Sequence, residues 1–264
     1  MISSNINKYE LLGVTVTPAS VEKLNEIIYY HISAKQKCII GHQNLHSIYL
    51  YHRSEKMKYF YDCADYIYID GMPIVWLAKC LGYPVKISHR VTFVDWIHPF
   101  LELATENEWR IFYLGAKPEV VQKGIQKLKE KYPGLLMEGV HGYFDPTPAG
   151  LDNTEIIELI NSYQPHILMV GMGMPRQESW VVDNYEEIDS WVIVTCGGCL
   201  DYFAGVNPIP PRWLGRMGLE WLFRLFSEPR RLWRRYLIEP WVIIDLLRKD
   251  LRRNKQDRSS ETGE

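Results

Sequence analysis

Three polar side chains that could remove a proton or hold a ligand by hydrogen bonds follow two of the predicted strands. Asp70 ends the run DYIYID, and His42 and Asn44 leave the preceding run, KCIIG. Ligands of α/β sheets bind beyond the carboxyl ends of strands, where a carboxylate suits a general base and an asparagine can read a hydroxyl or amide. Two alternatives stay open: Asp70 as the cap of a helix beginning near Pro73, and His42 as a satisfied polar group at the rim of the sheet.

Glycine-rich turns and one arginine suggest a phosphate-binding edge. LGAKPEVV (114–121) and GMGMPRQE (171–178) pass from strand to helix, so Gly115, Gly171 and Gly173 would let a ligand approach free backbone N–H groups. Arg90 precedes a predicted helix near Thr92, which suits either a phosphate site or a salt-bridged surface position. Neither turn carries the dinucleotide fingerprint or the P-loop pattern, which disfavours an NAD-dependent oxidoreductase.

Metal and redox sites have little support in the sequence. Cys196-Gly-Gly-Cys199 is half of a zinc site and lacks the small-domain pattern of thioredoxin-like proteins, so small residues packed at a tight turn are the preferred interpretation. No D-x-D motif is present, and the nearest match is Glu187-Ile-Asp189. We therefore expect no metal, with cationic side chains and helix ends neutralising a bound diphosphate.

The elements that must position these residues alternate between strands and helices. Strands are predicted at 10–16, 37–41, 65–70, 110–115, 166–171 and 191–197, and helices from Ser20, Pro73, Pro118 and Asn153. Several strands are apolar on both faces, as buried parallel strands are. The pattern predicts an α/β fold with a Rossmann-like, doubly wound, mostly parallel sheet.

Composition and charge divide the chain. Its 264 residues are 47% hydrophobic and 23% charged, and no apolar run reaches the roughly 18 residues of a membrane-spanning helix, so we expect neither secretion nor insertion. Five irregularly spaced cysteines indicate a reducing compartment. Residues 1–211 carry 17 basic and 24 acidic side chains, whereas 212–264 carry 13 and 8. We predict one domain over 1–211, a basic helical appendage over 212–254 and a disordered tail over 255–264.

The appendage is basic, aromatic and amphipathic. Trp233, Leu237 and Trp241 fall near helical spacing with arginines between them, and Pro229 and Pro240 are predicted to start new helical segments. Such helices suit the surface of an anionic membrane. A C-terminal helix pair packed on the sheet is the alternative, and the acidic body argues against a nucleic-acid partner.

Several segments together resemble the WecG/TagA/CpsF family of bacterial glycosyltransferases. They are IDGMPIVW (69–76), HRVTFVDW (89–96), RIFYLGAKPEVV (110–121), HGYF (141–144), VGMGMPRQESW (170–180), CGGCLDYFAG (196–205) and PPRWLGRMGLEWLFRLFSEPRRLWRRY (210–236). The resemblance implies a Rossmann-like enzyme, peripheral on the cytoplasmic face of the plasma membrane. It would move an N-acetylmannosamine-type or glucose-type sugar from UDP to an undecaprenyl-diphosphate-linked saccharide, with inversion and without metal, to build a teichoic-acid-like or other polysaccharide.

The resemblance also implies roles for individual residues. Asp70 stands at the position of the family's base, and Asn44 keeps the asparagine of its T-x-N motif, whereas His42 replaces the threonine. Asn44 and His42 would orient the sugars. Arg90 and the backbone amides of the glycine turns would stabilise the departing UDP. The other candidates are Gln177, Glu178 and Arg212 for the substrates, and Arg224, Arg230, Arg231, Arg234 and Arg235 for the membrane or the lipid diphosphate.

Further expectations complete this hypothesis. Trp180 is predicted to lie in the core, and Arg176 to face either phosphate or solvent. No cofactor is expected beyond the UDP-sugar donor, and homo-oligomerisation stays open. The competing hypothesis is a sugar-nucleotide-binding regulatory protein without transfer activity.

Overall fold

A computed structural model describes residues 6–249, except for the side chains of residues 212 and 216. The predicted run 10–16 is wrong as a single strand. It is an antiparallel hairpin of β1 (Tyr9–Leu11) and β2 (Val14–Val16). Leu12 and Gly13 have φ values of 52° and 87°, and positive φ at both central positions is typical of a type I′ turn. The continuous apolar sequence conceals this reversal.

The predicted parallel sheet is confirmed. The strands of this sheet are β3 (Cys38–Gln43), β4 (Tyr66–Ile69), β5 (Ile111–Gly115), β6 (Met137–Val140), β7 (Ile167–Gly171) and β8 (Val192–Thr195). They pair in the order β4-β3-β8-β7-β5-β6, and every pair is parallel. The edge strand β6 is not among the predicted strands, because Glu138 and Gly139 interrupt its apolar pattern.

Helices cover both faces of the sheet. All four helices predicted from Ser20, Pro73, Pro118 and Asn153 are present. The helices are α1 (Val21–Ala34), α2 (Leu45–Tyr51), α3 (Glu55–Cys63), α4 (Met72–Cys80), α5 (Phe93–Glu106), α6 (Pro118–Lys131), α7 (Leu151–Tyr163), α8 (Arg176–Asn184), α9 (Cys199–Ala204), α10 (Arg212–Arg216), α11 (Glu220–Ser227) and α12 (Pro229–Leu237), with a 3₁₀ turn at Ile87–His89. Residues 239–249 are also helical.

Alternate strand residues enter two separate cores. In β5, Ile111 and Tyr113 pack with α1, α5 and α6, whereas Phe112 and Leu114 pack with the helices on the opposite face. This alternation follows from the two-residue period of a strand and explains why both faces are apolar. The sheet is therefore covered on both sides, and its carboxyl edge is where polar loops collect.

The C-terminal helices pack on the body and also expose apolar surface. Pro229 is the first residue of α12 and Pro240 the second of the next helical segment, which confirms that both prolines lie at helix starts. Ile243 is buried in the same core as α4 and α7. Across residues 6–249, no helix is both long and apolar enough to cross a bilayer. The predicted disordered tail, 255–264, lies outside the described residues.

Candidate active site

Asp70 lies directly beyond β4 with its carboxylate free of any capping role. Its backbone N–H donates to the Gln43 carbonyl over 2.8 Å, which anchors it to the end of β3. The N-cap of α4 is Gly71, with φ of 105° and no side-chain cap, so the alternative of Asp70 as helix cap is wrong. Only glycine adopts this φ readily, and the turn leaves the Asp70 carboxylate beside the ligand-binding edge.

Asn44 is held rigidly next to Asp70. It caps α2 in a reciprocal capping box: its Oδ1 accepts from the Ser47 N–H over 3.1 Å, and its own N–H donates to Ser47 Oγ over 3.0 Å. The remaining Nδ2 donates to Asp70 Oδ2 over 3.4 Å. Because the cap fixes the side chain, the amide orients the carboxylate without further ordering cost.

His42 is buried beside the same strand end. Its Nδ1 lies 3.2 Å from the Thr195 carbonyl, which can only accept, so Nδ1 carries the proton and Nε2 is an acceptor. Burial lowers the pKa of His42, although Asp70 opposes this effect. His42 is therefore neutral at pH 7. The Thr195 carbonyl satisfies its Nδ1, as expected for a polar group at the rim of the sheet.

Two cavities meet at Asp70. The smaller has a volume of about 240 Å³ and the larger about 400 Å³. Both are lined by Asn44, His46, Asp70, Arg224 and Arg235. Apolar side chains of Leu45, Met72, Trp221 and Tyr236 line the smaller one, whereas His42, Gly173, Gln177, Asp201, Arg231 and Arg234 line the larger. Two molecules bound in these cavities would approach each other at the carboxylate.

Each cavity lies between two parts of the molecule. The strand-end floor comprises residues 42–46, 70–73, 90, 173–177 and 195–201. These residues lie at or just beyond the carboxyl ends of the neighbouring strands β4, β3, β8 and β7, and residue 90 lies beside the end of β4. The arginine roof comprises residues 220–239, which include α11 and α12. Four roof arginines and three carboxylates line the larger cavity, so its lining has more positive than negative side chains.

Two of the roof arginines, Arg224 and Arg235, are buried and interact electrostatically with Asp70, which a role in membrane binding alone would not require. Burial lowers the pKa of Arg235, while the Asp70 carboxylate opposes that effect. Burial acts in the same direction on Arg224, but Tyr202 and Asp70 outweigh it and raise its pKa. Arg231 forks onto Glu228 over 2.7 and 2.8 Å. Arg230 is exposed and lines neither cavity, and the side chain of Arg212 lies outside the described part of the structure.

Arg90 lies beside Asp70 and is salt-bridged, although it is not a surface residue. Its backbone bridges to Ile69 at the end of β4. Its Nη2 lies 2.8 Å from Glu220 Oε1 and its Nη1 3.6 Å from Asp95 Oδ2, with only 12% of the side chain exposed. Arg90 lines the smaller cavity, so it joins the floor to the roof at the site.

The three predicted glycines have different surroundings. A Cβ on Gly115 would lie 2.4 Å from the Gly171 carbonyl, and one on Gly171 would lie 2.3 Å from the Tyr113 hydroxyl, so both glycines permit close strand packing. Gly173 has φ of 81° and open space around it, and it lines the larger cavity. Of the three, only Gly173 lies beside space that a ligand could fill.

Gln177 and Glu178 form a buried pair behind these turns. Gln177 Oε1 accepts from the N–H groups of Gly173 and Gly197, each over 3.1 Å, and its Nε2 donates to Glu178 Oε1 over 2.7 Å. Burial raises the pKa of Glu178 to about 7. Gln177 reaches the cavity wall, whereas Glu178 does not line either cavity.

The neighbouring residues on α8 have structural partners. Trp180 is 1% exposed and its Nε1 donates to Asn153 Oδ1, which confirms its predicted place in the core. Arg176 Nη2 donates to the Phe144 carbonyl over 2.6 Å.

The two cysteines at the end of β8 are buried and line the larger cavity. Burial raises the pKa of Cys196 well above its ordinary value, and a thiol without thiolate character is a poor nucleophile. This agrees with the packing interpretation. Within residues 6–249, no three His, Cys, Asp or Glu side chains cluster as a metal site would require.

Among the residues missed by the sequence prediction are three that pair across the site. His46 Nδ1 donates to Glu239 Oε2 over 2.8 Å, and Glu220 pairs with Arg90. His46 and Glu239 lie 193 positions apart, so no local pattern connects them. For Glu220 a signal exists, because it stands four residues before Arg224 on one predicted helix.

Comparison with known proteins identifies the family that the quoted segments predicted. Residues 9–256 match the model of the glycosyl transferase WecG/TagA/CpsF family. Relatives from Staphylococcus aureus strains MW2 and NCTC 8325, described as N-acetylglucosaminyldiphosphoundecaprenol N-acetyl-beta-D-mannosaminyltransferase, are 30% identical over 171 residues, or 65% of this chain and 65% of theirs. The aligned region thus spans slightly less than two thirds of those relatives. The chain belongs to the WecG/TagA/CpsF family of glycosyl transferases.

Proposed function

We propose that this chain is an inverting glycosyltransferase that needs no metal and no cofactor. It transfers a sugar, of N-acetylmannosamine or glucose type, from a UDP-sugar to an undecaprenyl-diphosphate-linked saccharide. The proposal is supported by the family and by the activity of the S. aureus relatives, whose description names a diphosphoundecaprenol acceptor. The product would enter the synthesis of a cell-surface polysaccharide.

One observation carries the proposal: Asp70 lies where the two cavities meet. A transferase must bring two substrates together at one base, and here a carboxylate oriented by Asn44 lies at the common wall. We assign the larger, more polar cavity to the UDP-sugar and the smaller, more apolar one to the lipid-linked acceptor. A binding protein for one nucleotide would not need the second cavity.

In the proposed reaction, Asp70 removes the proton from an acceptor hydroxyl as that oxygen attacks the anomeric carbon. The new carbon–oxygen bond forms opposite the breaking bond to the UDP oxygen, which inverts the centre. The leaving electron pair stays on the UDP diphosphate, which Arg224 and Arg235 bind equally in the donor and in the departing UDP. Asn44 orients the base, and neutral His42 offers Nε2 as an acceptor for a sugar hydroxyl.

The same proposal accounts for the exposed apolar surface near the roof. Side chains that are at least 42% exposed include Trp213, Met217, Phe226, Trp233 and Trp241. Aromatic side chains beside arginines favour the interface of an anionic membrane. We therefore propose that the protein is peripheral on the inner face of the plasma membrane, where its lipid-linked acceptor is found.

The test is sugar transfer measured with a panel of UDP-sugars, including UDP-N-acetylmannosamine and UDP-glucose, and a short-chain polyprenyl-diphosphate-linked saccharide. Asp70→Asn should lower kcat by about 10²–10⁴-fold, as loss of a general base does. Asp62→Asn, on the exposed face of α3, is the matched control and should keep wild-type kcat.

Two results would count against the proposal. If Asp70→Asn kept kcat within a few-fold of wild type, Asp70 would not be the base. UDP binding without transfer to any acceptor of the panel would favour the regulatory hypothesis instead. The anomeric configuration of the product, read by NMR, tests inversion separately.

A further inference from the structure

The two arginines that face Asp70 share a sequence relation with two glutamates. Arg224 stands four residues after Glu220 on α11, and Arg235 stands four residues before Glu239. Residues four apart on one helix project from the same face, as Glu220 and Arg224 do, whereas Arg235 and Glu239 lie on either side of the helix break at Ile238 and both line the larger cavity. Each arginine of the pair therefore has a carboxylate close to it in the chain, on the side of the roof that meets the floor.

Each glutamate is bound by a floor residue next to the proposed base. Arg90 Nη2 lies 2.8 Å from Glu220 Oε1, and His46 Nδ1 donates to Glu239 Oε2 over 2.8 Å. The exposed side-chain fractions are 12% and 21% for the first pair, and 19% and 9% for the second. Water screens such half-buried pairs less than surface pairs, so they can fix the position of a helix.

Arg90 has little capacity left to bind a phosphate, because its guanidinium already pairs with two carboxylates. Its two terminal nitrogens already face Glu220 and Asp95. Arg224 Nε, in contrast, is buried without a hydrogen-bond partner in the structure, and a buried unpaired donor of a cation is costly unless a ligand satisfies it. Arg224 is therefore better suited than Arg90 to receive an anionic ligand.

We propose that Arg90 and His46 are positioning residues: they hold Glu220 and Glu239, and thereby set Arg224 and Arg235 over Asp70 to bind a substrate diphosphate. This inference rests on the proposed function, which supplies the diphosphate. The chemistry is the same for a nucleotide diphosphate and for a lipid diphosphate, because Arg224 and Arg235 line both cavities. It assigns Arg90 a different role from the direct phosphate contact that the sequence suggests.

A double-mutant cycle separates the two roles of Arg90. The variants are Arg90→Gln, Glu220→Gln and the double variant, with Glu239→Gln for the second pair. Affinity for UDP and for farnesyl diphosphate is measured by calorimetry, and KM and kcat by the transfer assay. Glu138→Gln is the matched control, because Glu138 pairs with Lys129 on the exposed surface of β6, away from both cavities.

Each single variant should weaken diphosphate binding about 5- to 10-fold, and the Arg90–Glu220 double variant should lose no more than either single one, because coupled residues are non-additive. The effect should appear in KM, with kcat at saturation within about threefold of wild type. The exchanged pair Arg90→Glu with Glu220→Arg should recover at least half of the lost affinity. Loss for UDP alone, or for farnesyl diphosphate alone, identifies which substrate the two arginines bind.

The inference would be overturned if Glu220→Gln kept or improved diphosphate affinity while Arg90→Gln lost it, since Arg90 would then contact phosphate directly. Additive losses in the double variant, or no binding of either probe by the wild type, would also overturn it. Thermal unfolding of every variant distinguishes loss of folding from a shift in the position of Arg224. Glu220→Asp supplies a second variant, which keeps the charge but has a shorter side chain. Tight diphosphate binding without sugar transfer would contradict the proposed function alone.

Discussion

The strand-end floor and the arginine roof build one site by different means. In the floor, side chains are fixed by backbone groups: Asn44 by a capping box and His42 by the Thr195 carbonyl. In the roof, two arginines depend on contacts that reach across to the floor: the ion pair of Glu220 with Arg90 and the hydrogen bond of Glu239 with His46. Backbone hydrogen bonds do not respond to salt, whereas ion pairs do. We therefore expect the floor to control the chemical step and the roof to control affinity for anionic substrates.

The largest effect is expected at Glu178, which is buried next to the floor residue Gln177. Burial raises its pKa from 4.5 to about 7, so the folded chain binds a proton more tightly than the unfolded chain between these pH values. The contribution of Glu178 to stability is then fully present below about pH 4.5 and is lost as the pH rises to 7, by about 3 kcal/mol in total. Glu178→Gln should remove this decline, which urea unfolding at pH 4.5 and pH 8 measures.

The control for this prediction is Glu158→Gln, an exposed position on α7 that should keep the wild-type pH profile. An unchanged profile in Glu178→Gln would mean that the buried carboxyl does not titrate in this range.

The roof should respond through affinity. Arg224→Ala and Arg235→Ala each remove charge-assisted hydrogen bonds to a diphosphate, worth about 1.5–3 kcal/mol, so KM should rise about 10- to 100-fold. The measurement is initial rates with a short-chain acceptor at low and high salt. Arg230→Ala, which removes an exposed arginine that lines neither cavity, should stay within about threefold of wild type. A fall in kcat with unchanged KM would contradict the proposal that the roof controls affinity and the floor the chemical step.

The smallest effect separates two roles of a single floor residue. Asn44→Ala should cost about 0.5–2 kcal/mol of stability because the N-cap is lost, whereas Asn44→Ser retains a capping side chain and should cost less. Both variants lose the contact to Asp70, and both should lower kcat about tenfold. Chemical unfolding and transfer assays on the same samples check the two parts. Equal activity of Asn44→Ser and wild type would show that the Asp70 contact is dispensable.

Much of the floor follows from the sequence because it depends on local order. Asp70 and Asn44 were predictable since parallel strands bring their carboxyl ends to one edge. The roles of Gly115 and Gly171 were not, because they depend on how β5 and β7 pair and on where the Tyr113 hydroxyl lies. The sequence predicted Glu178 as a substrate contact, whereas the packing of α8 buries it away from both cavities.

The roof was harder to predict for a related reason. Its basic and aromatic composition pointed to a membrane, and composition does not reveal which side of a helix an arginine occupies. Contacts such as His46–Glu239 join residues that are distant in the chain, so nothing short of the fold brings them together. The family resemblance supplied Asp70 as the base, while the grouping of Arg224 and Arg235 around it came from the structure.

A single side-chain oxygen, Oε1 of Gln177, links two turns of the floor. Gln177 Oε1 receives the N–H groups of both Gly173 and Gly197, which belong to the turns after β7 and β8. The two turns therefore share one hydrogen-bond acceptor. A ligand that displaces one turn should shift Gln177 and so strain its hydrogen bond to the other turn. Amide hydrogen exchange at Gly173 and Gly197 should accordingly slow together when a ligand fills the larger cavity, so that the two strand ends respond as one unit.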